Sequence, residues 1–202
     1  TLVNTTANPV NVVYAYTITA NGCSNTQNLT LAVNPTPTLT STLTPAAICS
    51  NSSFTYTPTS ATSGAVFTWT RAAVTGISNA AVTTAQSSDP NETLINTTPN
   101  PIDVVYAYTI TANGCPNTQN VTVTVNPTPT LSSTLTPAAI CSNSAFTYTP
   151  TSATSGASFT WTRAAGTGIS DAAVTTAQTS NPNETLVNTT ANPIDVVYAY
   201  TI

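Results

Sequence analysis

Val104-Val105-Tyr106-Ala107-Tyr108-Thr109-Ile110-Thr111 decides the reading of this chain. Val104, Tyr106, Tyr108 and Ile110 fall on one side of an extended strand, and Val105, Ala107, Thr109 and Thr111 on the other. Such alternation is the period of a β-strand with one buried face. Downstream, Val121, Val123 and Val125 alternate with Thr122 and Thr124. Between the two runs lies Asn113-Gly114-Cys115-Pro116-Asn117, whose Asn-Gly pair predicts a hairpin turn. Upstream, Phe54-Thr55-Tyr56-Thr57-Pro58 and Phe67-Thr68-Trp69-Thr70-Arg71 carry the same alternation of aromatic and Thr. No window shows a 3.6-residue apolar stripe. Ala72–Ala81 comes nearest to a helix by composition, and Gly76 argues against it.

These patterns recur. Thr1-Leu2-Val3-Asn4-Thr5-Thr6 returns at Thr93–Thr98 and at Thr185–Thr190, a period of 92 residues. Residues 1–92 and 93–184 agree at 77 positions, and residues 185–202 differ from 93–110 at two. Solenoid units run to about 20–50 residues, whereas roughly 90 is the size of one whole sandwich domain. The chain therefore reads as tandem domains, each with its own core. The boundaries fall at Asn34-Pro35-Thr36-Pro37 and Asn126-Pro127-Thr128-Pro129, where alternating Pro suits a short stiff linker. This gives the end of one repeat (1–34), a complete repeat (35–126), and a third (127–202) without its last strand. The first residue falls inside a repeat, so the chain is expected to be a window on something longer. The expected core of the complete repeat is Phe54, Tyr56, Phe67, Trp69, Tyr106, Tyr108, Ile110, Val121 and Val123. Some seven short strands, with a Trp on the third and a Tyr pair opening the sixth, predict an all-β, immunoglobulin-like sandwich.

Composition narrows the function. Of 202 residues, 47 are Thr and 19 Ser; only 4% are charged, against roughly 25% in an ordinary soluble domain. There are two Arg, no Lys, no His and no Met, and the net charge is -4. Imidazole-based metal sites, Ser-His-Asp triads, Cys-His pairs, Schiff-base lysines and P-loops each lack a required residue. Two Arg at this net charge cannot neutralise a nucleic-acid backbone. No apolar run reaches the length of a membrane-spanning helix. Thr holds an extended backbone while facing water, so it takes the outward strand positions that Lys, Glu and Arg fill elsewhere.

The run from Pro35 to Asn126 resembles the PKD-like, immunoglobulin-like repeat of very large secreted surface proteins of Bacteroidota. Ile48-Cys49-Ser50-Asn51, Phe67-Thr68-Trp69, Glu92–Thr98, Val105–Thr109, Asn113-Gly114-Cys115 and Val123–Pro127 carry the resemblance. The Trp-Asp-Phe-Gly-Asp-Gly segment of standard PKD domains is absent, since Trp69 is followed by Thr70-Arg71-Ala72. The resemblance implies an extracellular, cell-surface location, adhesins of the gliding type among the relatives, and export by the type IX system.

Candidate sites are sparse. Cys23, Cys49, Cys115 and Cys141 come two to a period, which suggests disulfides in a secreted array. Two pairings are open: Cys49 with Cys115 inside one repeat, or Cys49 with the copy of Cys115 in the following repeat. A sandwich places Cys49 and Cys115 at opposite poles, which weighs against the first without deciding between the two. Trp69 and Trp161 are candidate platforms for stacking sugars, although Trp69 shares its parity with Phe67 and so points inward. Asp89, Asn91 and Glu92 are candidate Ca²⁺ ligands, but Asp89 becomes Asn181 in the next copy. Arg71 and Arg163 are expected in surface ion pairs. Eight Asn-X-Ser/Thr sequons among 21 Asn carry no signal in a chain so rich in Ser and Thr. No paired carboxylates stand ready for hydrolysis, and no enzyme and no cofactor are expected.

The leading expectation is a structural segment of a long extracellular fibre or adhesin stalk. The rival is a glycan- or surface-binding module of a larger secreted protein. The expected partners are neighbouring repeats of the same chain, with lateral self-association into filaments because few charges blunt the sheet edges.

Overall fold

The computed structural model describes residues 1–202, in fourteen strands with no helix. The chain divides into Thr1–Asn126 and Pro127–Ile202. In the first unit the strands are β1 (Val10–Ala20), β2 (Cys23–Val33), β3 (Ile48–Cys49), β4 (Ser52–Thr55), β5 (Val66–Arg71), β6 (Val82–Gln86), β7 (Asn91–Leu94), β8 (Ile102–Ala112) and β9 (Cys115–Asn126).

Residues 35–126 form the sandwich. One sheet has the order β3-β9-β8-β5-β6, and β4 pairs with β7 in the second. The Trp strand β5 is the third of the seven strands β3–β9, and the Tyr strand β8 the sixth, as the sequence predicts. β8 and β9 pair along their length, Val104 opposite Val123 and Tyr106 opposite Val121. Asn113 (φ 50°) and Gly114 (φ 76°) close their hairpin, both in the left-handed region that a two-residue type I′ turn requires. The inward faces meet as an aromatic cluster. Phe54 and Tyr106 have ring centroids 4.9 Å apart, Tyr56 and Tyr108 5.4 Å, and Trp69 meets Tyr106 edge-on at 5.3 Å. Leu94, Val104, Tyr106, Ile110, Val121, Val123 and Val125 are wholly buried. Phe67, at the outer end of β5 opposite Ile110, is half-buried against the cluster rather than inside it. Ala72–Ala81 is a loop. Gly76 there has φ 87°, and a Cβ on it would meet Ile102 Cδ1 at 2.5 Å.

β1 and β2 repeat the β8–β9 register 92 residues earlier, Tyr14 opposite Leu29. The counterparts of β4, β5 and β7 would fall before residue 1, and the apolar face is exposed. Tyr16 and Ile18 are each 55% exposed, where Tyr108 and Ile110 are at most 1%.

The second unit contains β10 (Ser144–Thr147), β11 (Thr160–Arg163), β12 (Val174–Gln178), β13 (Asn183–Leu186) and β14 (Tyr198–Thr201). β10 pairs β13, and β11 lies between β12 and β14, with Trp161 opposite Tyr200 as Trp69 is opposite Tyr108. The counterpart of β9 would occupy residues 207–218, past Ile202. The core face it covers in the first unit is here an open cleft of about 560 Å³ between Phe146, Tyr148, Tyr198 and Tyr200.

Candidate functional site at the boundary between repeats

Proline lacks an amide hydrogen, so Asn34-Pro35-Thr36-Pro37-Thr38-Leu39 cannot join a ladder as an ordinary strand does. It is nonetheless packed. Pro35, Pro37 and Leu39 are buried, and Thr36 and Thr38 between them are exposed. Amide side chains replace the missing ladder. Asn34 Nδ2 donates to the Asn113 carbonyl (2.9 Å), Asn117 Nδ2 donates to the Pro37 carbonyl (2.9 Å), and the Leu39 N–H donates to Gln119 Oε1 (2.6 Å). Thr40 N–H then donates to the Thr59 carbonyl at 2.8 Å. The sequence reads this segment as a linker; the structure makes it the first packed segment of the repeat it enters. Each such bond contributes about 0.5–1.5 kcal/mol; the Asn34–Asn113 bond joins one repeat to the next, and the other two seat the proline segment on β9 of its own repeat.

The far end of β9 is tied by Asn96. Its buried amide donates to the Val125 carbonyl (2.8 Å) and the Asn100 carbonyl (2.7 Å), while Oδ1 accepts from Thr98 N–H (2.9 Å). Asn4 makes the same bond to the Val33 carbonyl at 2.7 Å. Asn96 opens a sequon, and its side chain is fully engaged in the fold.

Arg71 corrects the sequence reading of a surface pair: it is 1% exposed. Nε and Nη2 grip both Glu92 oxygens at 2.9 and 2.8 Å, and Nη2 also donates to the Ala80 carbonyl at 2.7 Å. Tyr106 Oη donates to Glu92 Oε2 at 2.8 Å. Arg71 and Tyr106 belong to the five-stranded sheet and Glu92 to the β4–β7 sheet, so the cluster clasps the two layers together. The bond to Glu92 raises the Arg71 pKa against the opposing effect of burial. Burial alone would raise the Glu92 pKa, but the hydrogen bonds from Arg71 and Tyr106 and the Arg71 charge outweigh it and hold the carboxyl below its ordinary range. Burial, and then the bond to Glu92, raise the Tyr106 pKa. Arg163, Glu184 and Tyr198 repeat the clasp, with Arg163 Nε 3.0 Å from Glu184 Oε2 and Tyr198 Oη 2.7 Å from the same oxygen. Both cations of the chain are thus spent inside the fold. A signal was available in the sequence: Arg and Glu are unchanged between the copies, while the other acids exchange with Asn, as at Asp89/Asn181, Asn79/Asp171 and Asn11/Asp103.

The same geometry removes the candidate Ca²⁺ ligands. Both Glu92 oxygens are occupied, Asp89 Oδ2 accepts from Thr57 Oγ1 at 2.9 Å, and no three acidic or thiol side chains cluster anywhere. It also corrects the sugar-stacking reading of Trp69 and Trp161. Both are 6% exposed, and each indole N–H donates to a backbone carbonyl, Ser88 at 2.7 Å and Ser180 at 2.6 Å. All four cysteines are free thiols. Cys49 is the register partner of Asn126, at the end of β9 remote from Cys115. Eleven residues at about 3.3 Å separate them by roughly 36 Å, far beyond the roughly 7 Å between bridged Cα atoms.

A family model described as the PKD-like domain matches residues 46–129 and again 138–202. No curated protein matches the chain. No helix is long and apolar enough to cross a membrane.

Proposed function

The chain belongs to the PKD-like domain family, and from that premise we propose that it is a structural segment of a long extracellular fibre or adhesin stalk. The observation that carries this reading is the pinned boundary. A stalk needs repeats that hold their angle; Asn34 at the end of one repeat donates to the Asn113 carbonyl of the next, and the Pro35–Leu39 segment that follows it is packed on β9 instead of hanging as a tether. The charge inventory agrees with a mechanical role. Both Arg residues and both Glu residues are taken up in ion pairs that join the two sheets of a sandwich. The outward Thr positions keep the surface wet without charge. A large secreted surface protein, exported as the family resemblance implies, is the setting this composition suits. The rival binding-module reading loses its platform, because the Trp rings lie in the cores.

The uncharged edge strand β6, with Thr83, Thr84 and Ala85 exposed, suits lateral pairing of neighbouring stalks into bundles. Immunogold labelling of intact cells, with antibody raised against residues 35–126, tests the function. The expected result is gold along surface threads; gold confined to the cytoplasm overturns the proposal.

A further inference from the structure

We propose that successive repeats are stapled covalently, by a disulfide between Cys49 of one repeat and the Cys115-equivalent thiol of the repeat that follows. It rests on the chain being a tandem array, whatever that array is for. β3 runs parallel to the end of β9, with Cys49 paired to Asn126 and Ser50 N–H donating to the Asn126 carbonyl at 2.7 Å. Neighbouring strands lie about 4.8 Å apart, so this thiol sits beside the last residue of its repeat. Asn34 is that last residue one period earlier. Its Nδ2 donates to the Asn113 carbonyl of the next repeat at 2.9 Å, and Cys115 Sγ lies 3.9 Å from the same oxygen. Carried over by the 92-residue period, these two halves place one thiol on each side of a boundary, flanking the asparagine contact.

The alternatives are poorer. Within one repeat the two thiols stand at opposite ends of β9. Cys23 opens β2 at the end remote from Asn34, and Cys49 lies a further repeat beyond that boundary. Cys49 and Cys141 are exposed, as a bridge between domains requires. None of the 15 differences between residues 1–92 and 93–184 (92 less 77) falls on a cysteine. The pairing rule joins position 49 to position 207, and position 141 to position 299. No two of the four cysteines in residues 1–202 meet under it.

The chemistry is thiol–disulfide exchange with an external disulfide. One thiolate attacks the oxidant and forms a mixed disulfide. The second thiolate displaces the remaining half. Two protein thiols and one oxidant disulfide become one protein disulfide and two small thiols, with two electrons passing to the oxidant.

The test uses the 202-residue chain followed by a second run of its residues 111–202, which carries the 92-residue period on to position 294. It is oxidised with glutathione disulfide, alkylated, unfolded and cut with trypsin, which cleaves after Arg71, Arg163 and the Arg copy at position 255. The expected product is fragment 1–71 linked to fragment 164–255, with four of six thiols alkylated. Cys49→Ser abolishes that link and Cys23→Ser leaves it intact. A link between fragments 1–71 and 72–163, or alkylation of all six thiols in a chain that melts cooperatively, overturns the staple. Either result leaves the stalk reading to be judged by the immunogold labelling.

Discussion

Arg71 is the residue on which the sandwich is most exposed to single changes. Breaking a buried ion pair by removing one partner strands the other charge and costs about 3–5 kcal/mol, whereas replacing both with apolar residues of similar size is often neutral. Glu92 keeps 18% of its side-chain surface, so Arg71→Met is expected near the low end, about 3 kcal/mol. The double change Arg71→Met with Glu92→Leu should recover most of that loss. The urea midpoint read from Trp69 fluorescence in a Trp161→Phe background measures both, and a double variant no better than the single one contradicts the clasp. Tyr106 and Tyr108, two residues apart on one face, should separate cleanly. Tyr106→Phe removes a bond to a half-buried carboxylate and should cost about 1.5 kcal/mol. The Tyr108 hydroxyl is buried without a partner, so Tyr108→Phe should be neutral or stabilising in the same assay. The pH profile follows from the same groups. The Glu92 pKa is lower in the fold than out of it, so its contribution is complete above the unfolded value and disappears as pH falls through the folded one. The Tyr106 and Tyr108 pKa values are raised, so stability declines as pH climbs past the unfolded tyrosine value of about 10. With no His, urea midpoints should be level from about pH 5 to 9; a step near pH 6.5 would contradict the assignment. The sequence placed Trp69 and the Tyr pair inward because strand parity is local. It missed the clasp because Arg71 and Glu92 lie on different strands, 21 residues apart, with no periodic pattern joining them.

Among the elements, the hairpins were legible and the proline segment was not. Asn-Gly between two alternating runs dictates a two-residue turn from its own backbone preferences, and it does so at both copies. Pro35 and Pro37 read as a spacer because the groups that hold them, Asn117 and Gln119, lie 80 residues away. β2 and β9 teach the complementary lesson. Their sequences are nearly the same, yet Leu29 is 55% exposed and its counterpart Val121 is wholly buried. Strand sequence sets which face is apolar, and the neighbouring strands decide whether it is covered. At this scale the prediction concerns the Leu39 amide. Its hydrogen exchange, followed by NMR, should be slow in the native chain and accelerate at least tenfold in Gln119→Ala while β8 amides keep their protection. Unchanged Leu39 protection would mean that the amide pin does not hold the segment.

In the whole molecule, the 92-residue period made the architecture readable, because each copy tests the register of the others. Strand partners in the second unit lie 92 residues on from those in the first, as Trp161–Tyr200 repeats Trp69–Tyr108. What the period alone could not give is stiffness, which depends on contacts made where one repeat enters the next. Small-angle X-ray scattering in solution tests that directly, by comparing the 202-residue chain with the chain extended by one period. Twelve residues of β9 at about 3.3 Å make each module roughly 40 Å long. The proposed stalk predicts that the maximum dimension grows by about 40 Å for the added 92 residues. Growth as the cube root of mass, the signature of modules merged into a single globule, would contradict the account.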